Sequence, residues 1–159
     1  MIAILSLLAV VQQTALPPES AQFDFWVGDW TCEGPLYGPQ GETPTQGKNH
    51  IRKILGGRVV QEQFEGGKTH GMSVSSYVQG HGWRQTWVDD QGGYIPLAGS
   101  FADGKMTLQT LALPEAKAYN RMVYENITKD AFDWRWESTA DAGKTWKLQW
   151  LLHYKRAKR

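Results

Sequence analysis

The sequence predicts an all-β domain: an up-and-down antiparallel β-barrel of about ten strands with a short N-terminal helical plug. Seventeen Gly and seven Pro among 159 residues separate short segments in which apolar and polar residues alternate, as in strands joined by hairpins. No helical periodicity persists beyond residue 22. Connections of a few residues pair consecutive strands antiparallel, and closing the sheet removes the two edges that a ten-strand meander would otherwise leave unpaired.

The first eleven residues, Met1 to Val11, form an uncharged apolar run that precedes a polar stretch. A transmembrane helix needs about 20 apolar residues, so this run is typical of the apolar region of a secretory signal peptide. We therefore expect residues 1–21 to be a signal peptide, cleaved between Ala15 and Ala21, and residues 22–159 to form one domain. This predicts a periplasmic or secreted protein, although the run could also be a strand or helix packed on the domain.

The plug is expected across 22–27, where Phe23, Phe25 and Trp26 lie just before the first strand. The strands that follow end at turn signals such as Gly56-Gly57, Gly66-Gly67 and Asp103-Gly104, because Gly and Asp tolerate the positive φ of tight turns. The predicted strands span 28–37, 45–55, 58–65, 69–79, 82–89, 94–100, 105–112, 118–127, 131–138 and 144–156.

Closure of the barrel makes the first and last strands neighbours. Gly28 and Trp30 form a G-x-W pattern at the start of the first strand, and Trp150, Tyr154 and Arg156 share one face of the last. The arginine can then lie across the indole of Trp30 in a cation–π contact. We expect these five residues to serve barrel closure.

These residues resemble a known superfamily. G-x-W at the start and an Arg ending the last strand are similar to the calycins, which include lipocalins, fatty-acid-binding proteins and nitrobindin-like barrels. The wider pattern resembles a bacterial domain-of-unknown-function family of small exported calycin-like barrels. The matching stretches are FDFWVGDW (23–30), ILGGRVVQEQFEG (54–66), WRQTWVDDQGGYIPLAG (83–99), RMVYENIT (121–128), FDWRWESTADAGKTW (132–146) and WLLHYKR (150–156). The resemblance implies a ligand-binding barrel and brings no established activity.

Polar residues alternate with large aromatics on three of the predicted strands, which is unusual for a pure core face or a pure solvent face. We interpret them as a cavity wall in which aromatics supply contact area and polar groups orient a ligand. The candidate ligand-binding residues are Glu62, Phe64, Trp83, Gln85, Trp87, Asp89, Arg121, Trp134 and Trp136. The alternative is that the polar groups face water, with Asp89 capping the turn that follows it. One sequence does not establish which face points inward, since a one-residue slip inverts it.

Other signals are structural or exclude function classes. Thr139 to Trp146 resembles the S-x-D-x-G-x-x-W box of sialidase-type hairpins, which implies a turn with the indole packed beneath it.

The four His lack metal-ligand spacing and one Cys provides no thiolate cluster, so we expect no metal and no cofactor. A formal net charge of +1 argues against nucleic-acid binding. By alternation, His153 should point outward, and Cys32 should share the buried face of Trp30.

The leading hypothesis is an exported, non-enzymatic barrel that holds a small apolar or amphipathic ligand in an aromatic cavity. The mature chain is expected to have no integral membrane segment, and its oligomeric state is not predicted. The first alternative is an enzyme in which Glu62 or Asp89 acts as general acid/base while Arg121 binds an anionic substrate. Lesser alternatives are a haem-binding barrel, by analogy with nitrobindin, and an envelope protein that uses exposed indoles to bind a partner.

Overall fold

The computed structural model describes residues 15–112 and 115–158, which form a closed antiparallel barrel. Its ten strands follow one another around the barrel in chain order, and β10 returns to pair with β1. The strands are β1 (Gly28–Gly38), β2 (Gly41–Ile54), β3 (Val59–Gly66), β4 (Thr69–Val78), β5 (Gly82–Asp89), β6 (Tyr94–Ala102), β7 (Lys105–Thr110), β8 (Tyr119–Glu125), β9 (Ala131–Thr139) and β10 (Lys147–Arg156). Short 3₁₀ turns occupy Pro18–Ala21, Asp24–Trp26 and Leu55–Gly57. The predicted fold class is confirmed.

The seam of the barrel joins its first and last strands. Trp30 of β1 lies opposite Asn49 of β2 on one side and Arg156 of β10 on the other. The guanidinium carbon of Arg156 is 4.1 Å from the centre of the Trp30 ring, as the G-x-W pattern predicts. Every strand therefore has two hydrogen-bonded neighbours, and the sheet has no free edge.

The plug closes the end of the barrel where the seam begins. Phe23 is fully buried and meets the Trp83 ring edge to face at a centroid distance of 4.7 Å. Trp26 is buried beside it, and its carbonyl oxygen accepts a 2.8 Å hydrogen bond from the Trp30 indole N–H. Aromatic residues of the N-terminal segment thus fill this end, as expected for 22–27, and an additional turn at Pro18–Ala21 precedes them.

Two strand boundaries differ from the sequence prediction by more than two residues, for physical reasons. β2 begins at Gly41 because the β1–β2 hairpin continues beyond the barrel wall, with Pro35 opposite Pro44. Residues 41–44 are all exposed, so no apolar alternation marks them. β10 begins at Lys147 because the preceding residues form a turn in which the Trp146 indole N–H donates to the Gly143 carbonyl at 3.1 Å.

The apolar run of residues 1–11 lies outside the described residues, as do residues 12–14 of the expected signal peptide. Within the described part of the chain, no helix has the length and apolar character needed to cross a membrane.

Candidate functional site

A cavity of about 220 Å³ lies inside the barrel, toward the end opposite the plug. Its walls are mainly aromatic and aliphatic. The aromatic lining residues are Phe64, Trp87, Tyr124, Trp134, Trp136, Trp150 and Tyr154, and the other apolar ones are Ile95, Leu97, Met122 and Leu152. Glu62, Thr69 and Asp89 complete the lining among the described residues.

Five rings form a continuous aromatic arc along the cavity wall. Trp136 and Trp134 are nearly parallel, with an interplanar angle of 10° and centroids 6.3 Å apart. Trp134 meets Trp150 at 90° and 5.5 Å, and Trp150 in turn meets Phe64 edge to face at 6.1 Å. Phe64 contacts Trp87 at the same distance. Because each ring braces the next, the wall is preorganised for contact with a ligand.

Hydrogen bonds fix two of these indoles. The Trp87 N–H donates to Asp89 Oδ2 at 3.0 Å, and the Trp150 N–H donates to Thr45 Oγ1 at 2.8 Å. Gly71 on the adjacent strand leaves space for the Trp87 ring, since a Cβ there would overlap its six-membered ring. The orientation of the Trp87 ring is therefore set by the hydrogen bond from its indole N–H to Asp89 and by the absence of a side chain at Gly71.

Glu62 is the buried polar group of the cavity, with 7% of its surface exposed. Its Oε1 accepts a 2.7 Å hydrogen bond from Asn49 Nδ2, and its Oε2 accepts a 2.6 Å hydrogen bond from Ser73 Oγ. Burial raises the pKa of the carboxyl above its ordinary value, and these two hydrogen bonds offset part of that effect. No ion pair among the described residues includes Glu62.

The other titratable groups around Glu62 are neutral near neutral pH. Burial raises the pKa of the Cys32 thiol to about 11. It also raises the pKa of the Tyr124 and Tyr154 hydroxyls well above their ordinary value, and the negative charge of Glu62 adds to the effect on both. Cys32 is 4% exposed and lies on the inner face with Trp30, as predicted, so it behaves as a small core residue.

Asp89, the last residue of β5, lies at the mouth of the cavity, which is its open end opposite the plug. Its side chain contributes both to the cavity wall and to the turn that follows β5. Besides the Trp87 indole, it accepts backbone hydrogen bonds from Gln91 at 3.0 Å and Gly93 at 2.8 Å. These hydrogen bonds, led by that of the Trp87 indole, lower the pKa of the Asp89 carboxyl. An ionised carboxylate with a low pKa is a poor general acid.

The placement of Arg121 in the cavity is wrong. The residues of β8 that line the cavity are Met122 and Tyr124, so Arg121 points outward. Outside, its Nε donates to Glu137 Oε2 at 2.6 Å, and its guanidinium carbon lies 3.9 Å from the centre of the Trp146 ring. The proposed pairing of an interior carboxylate with this arginine is therefore absent.

Two further predicted cavity residues lie elsewhere in the interior. Trp83 is packed under the plug, and its indole N–H donates to Gln22 Oε1 at 3.0 Å. Gln85 is buried and donates to Ser75 Oγ at 2.9 Å, but it does not line the cavity. Both side chains point into the barrel, as expected for residues on the same face of β5 as Trp87. Strand periodicity predicts the face, but it does not predict how far along the barrel axis each side chain lies.

The remaining predicted ligand residues, Glu62, Phe64, Trp87, Asp89, Trp134 and Trp136, are brought together around the cavity. Sequence reasoning assigned Trp150 and Tyr154 to closure alone, yet both line the cavity. The signal was available: the alternation that puts them on one face of β10 also makes that face an inner wall.

His153 lies on the outer face of β10, as its alternation with Leu152 and Tyr154 predicts. Its Nδ1 is 2.6 Å from Asp133 Oδ1, and the side chain is about half exposed. Since no histidine lines the cavity among the described residues, the interior contains no imidazole ligand of the kind that the haem alternative needs.

Comparison with known proteins supports the fold alone. No protein-family model and no curated protein matches the chain. A solved structure of a protein of unknown function from the DUF3598 family of Nostoc punctiforme is similar, with a TM-score of 0.57 and 16% sequence identity. The match covers 86% of this chain and 49% of that one, so the chain spans about half the length of its structural neighbour.

Proposed function

We propose that this chain is a binding barrel that takes a small apolar or amphipathic molecule into its aromatic cavity. The observation that carries the proposal is the continuous aromatic arc from Trp136 to Trp87 along the wall of a cavity inside a closed barrel. Ligand sites are concave and mainly apolar, with a few polar groups that set orientation. Glu62 and Asp89 are placed to supply that orientation.

The volume of the cavity limits the size of the ligand. At about 220 Å³, it is roughly seven times the ~30 Å³ that one water molecule occupies in the liquid. It is also smaller than the ~300–1,000 Å³ of sites that enclose drug-sized ligands. The proposed ligand therefore has about ten non-hydrogen atoms inside the barrel, and any longer portion extends through the mouth.

Export and a calycin relationship belong to the same proposal. The apolar run at residues 1–11 supports secretion to the periplasm or beyond, and the Gly28, Trp30 and Arg156 arrangement supports the relationship to calycin-like barrels. None of the alternative functions gains a specific observation. An enzyme with Arg121 beside the carboxylate would need that arginine inside, and an interaction protein would not need the open interior.

The proposal can be tested with one blocking variant and one matched control on the same strand. Thr69 lines the cavity from β4, so Thr69→Trp should fill its mouth, whereas Val74 of β4 is exposed on the outer face. We expect benzyl alcohol to bind the wild-type protein and Val74→Trp alike in calorimetry and ligand-observed NMR, and Thr69→Trp to lose at least about tenfold in affinity.

Native mass spectrometry of protein purified without detergent adds a second readout, in which a retained small molecule is expected. If benzyl alcohol binds Thr69→Trp as well as it binds the wild type, the cavity is not the binding site. Absence of binding across a panel of apolar molecules of this size would contradict the function itself.

A further inference from the structure

We propose that the cavity selects a small organic cation, a quaternary or protonated ammonium group, for which Glu62 is the counter-charge and the aromatic arc supplies cation–π contacts. The inference rests on the proposed binding function and specifies the ligand class. Three features carry it: the acidic residues in the cavity lining, the Trp and Tyr rings that line the cavity, and the lack of a cationic partner for its buried carboxyl group.

The charged residues that line the cavity are both acidic. They are Glu62 in the buried part and Asp89 at the mouth, and no Lys or Arg lines the cavity among the described residues. The nearby arginines on β8 and β9 are on the outside, where Arg121 pairs with Glu137 and Arg135 pairs with Glu125 at 2.9 Å. An anionic ligand would therefore meet two acidic groups and no lining cation, whereas a cationic ligand would meet acidic groups alone.

The aromatic arc suits a cation as well as an apolar group. The electron-rich faces of Trp and Tyr attract a desolvated ammonium group, and several rings around one space form an aromatic cage. Trp134, Trp136 and Trp150 line the cavity together with Tyr124 and Tyr154. Their mutual contacts hold the rings in place, so the cage does not have to reorganise when a ligand binds.

Glu62 is a buried acid with neutral partners only. Asn49 and Ser73 each donate one hydrogen bond to it, and a carboxylate has about four lone-pair sites, so acceptor capacity remains. The titratable groups that face it are Cys32, Tyr124 and Tyr154, which burial keeps neutral, and Asp89, which stands at the mouth. A ligand cation would therefore provide the only opposite charge beside this carboxylate among the described residues.

A comparison of choline with 3,3-dimethylbutan-1-ol distinguishes the effect of the ligand's charge from the effect of its shape. The two molecules have the same number of non-hydrogen atoms and nearly the same outline, but only choline is charged. We expect choline to bind the wild-type protein at least about tenfold more tightly than the alcohol in calorimetry. Glu62→Gln should abolish that preference, because it removes the charge that distinguishes binding of choline from binding of the alcohol.

Glu65→Gln is the matched control, because Glu65 is exposed on the outer face of the same strand. Circular dichroism of each variant verifies folding.

The pH dependence of choline affinity provides a second test, because a variant that only distorts the cavity would not change how this affinity varies with pH. Choline carries a permanent charge, so only the protein titrates. Because burial raises the pKa of Glu62, choline affinity should increase with pH through that raised value, with protons released on binding. Calorimetry in buffers with different ionisation enthalpies measures the proton count, and the pH dependence should be lost in Glu62→Gln.

The outcomes distinguish this inference from the proposed function. If the alcohol binds as tightly as choline, or if Glu62→Gln keeps the preference for choline, the cation assignment is wrong and the binding barrel stands. If neither probe binds and Thr69→Trp has no effect on benzyl alcohol, both proposals are wrong.

Discussion

At the scale of single residues, Arg156 does more than cover an indole. Its Nη1 donates to the Val27 carbonyl at 3.1 Å, while Nε and Nη2 both donate to the Lys129 carbonyl at 3.0 and 2.8 Å. Gly28 has φ +137°, and a Cβ on it would overlap Nη1. The glycine of the G-x-W pattern therefore provides the space in which the guanidinium lies over Trp30.

Replacement of Arg156 tests this description of the seam. Arg156→Ala removes the cation–π contact and leaves two carbonyl groups without their donor, so the free energy of unfolding should fall by about 2–3 kcal/mol in urea denaturation. Arg156→Lys should recover less than half, because an ammonium cannot bridge both carbonyls in this fork geometry. Lys155→Ala, at a neighbouring exposed residue, should change stability by less than about 0.5 kcal/mol. An unchanged unfolding midpoint for Arg156→Ala would refute the role.

Arg121 shows where residue-level prediction from this sequence stops. Period two correctly groups Arg121, Val123 and Glu125 on one face of β8, but it does not say which face is inside. Val123 is buried even though it points outward, so apolar content did not distinguish the faces. The answer comes from β9, where the outer Glu137 and Arg135 pair with Arg121 and Glu125. Such cross-strand partners are known only once the register is known.

At the scale of the element, the hairpin between β9 and β10 is held by one carboxylate. Asp141 accepts hydrogen bonds from the Thr145 backbone N–H at 2.9 Å and from both the Thr145 and Thr139 hydroxyls. Residues Ala142 and Gly143 then turn with positive φ. Thr139–Trp146 was predicted to be a structural turn from its similarity to a known box, and this network is the physical basis of that turn.

The hairpin should make stability depend on pH in the acid range. The hydrogen bonds, first that from the Thr145 hydroxyl, lower the pKa of Asp141 from 3.8 to about 2. A depressed pKa stabilises the fold above the unfolded value and loses this effect as pH falls from about 4 toward 2. The difference in melting temperature between wild type and Asp141→Ala should therefore shrink over that interval in thermal unfolding followed by circular dichroism.

Other acids titrate in both proteins, so the difference isolates Asp141. A gap in melting temperature that stays constant from pH 7 to pH 2 would contradict the assigned network.

The sequence predicts strand boundaries well where a strand forms part of the barrel wall, because one of its faces is then buried and apolar residues alternate with polar ones. The prediction was poorer where neither face of the strand is buried. The outer part of the β1–β2 hairpin is exposed on both faces, so nothing in residues 41–44 distinguishes a strand from a loop. Cavity depth was unpredictable for the same kind of reason: Trp83 and Trp87 share a face of β5, yet only the second reaches the cavity.

At the scale of the whole molecule, the two ends of the barrel differ in how closely they are packed. The plugged end contains Phe23, Trp26 and Trp83, all nearly inaccessible to solvent, whereas Trp136 and Trp150 stand at the open end and remain partly exposed. The eight tryptophans thus divide into four that line the cavity and four that do not, and sequence analysis had placed Trp83 in the wrong group.

Substitutions at the two ends should separate stability from binding. Phe23→Ala leaves a cavity in a packed aromatic cluster and should lower the free energy of unfolding by about 3–5 kcal/mol, with benzyl alcohol still bound by the folded fraction. Trp136→Ala should cost about 1 kcal/mol and weaken that binding several-fold. Urea denaturation and calorimetry measure the two quantities. The division is wrong if Trp136→Ala proves the more destabilising of the two.

The seam between β1 and β10 also determines how the chain reaches this structure. It joins residues such as Thr31 and Lys155, which are 124 positions apart in the sequence, so the loop-closure entropy that its formation costs is among the largest in the molecule. Topologies dominated by such contacts fold slowly, and until the seam forms both outer strands carry unpaired backbone groups. Two incomplete sheets can then pair with each other. The same step that completes the barrel therefore competes with aggregation during folding.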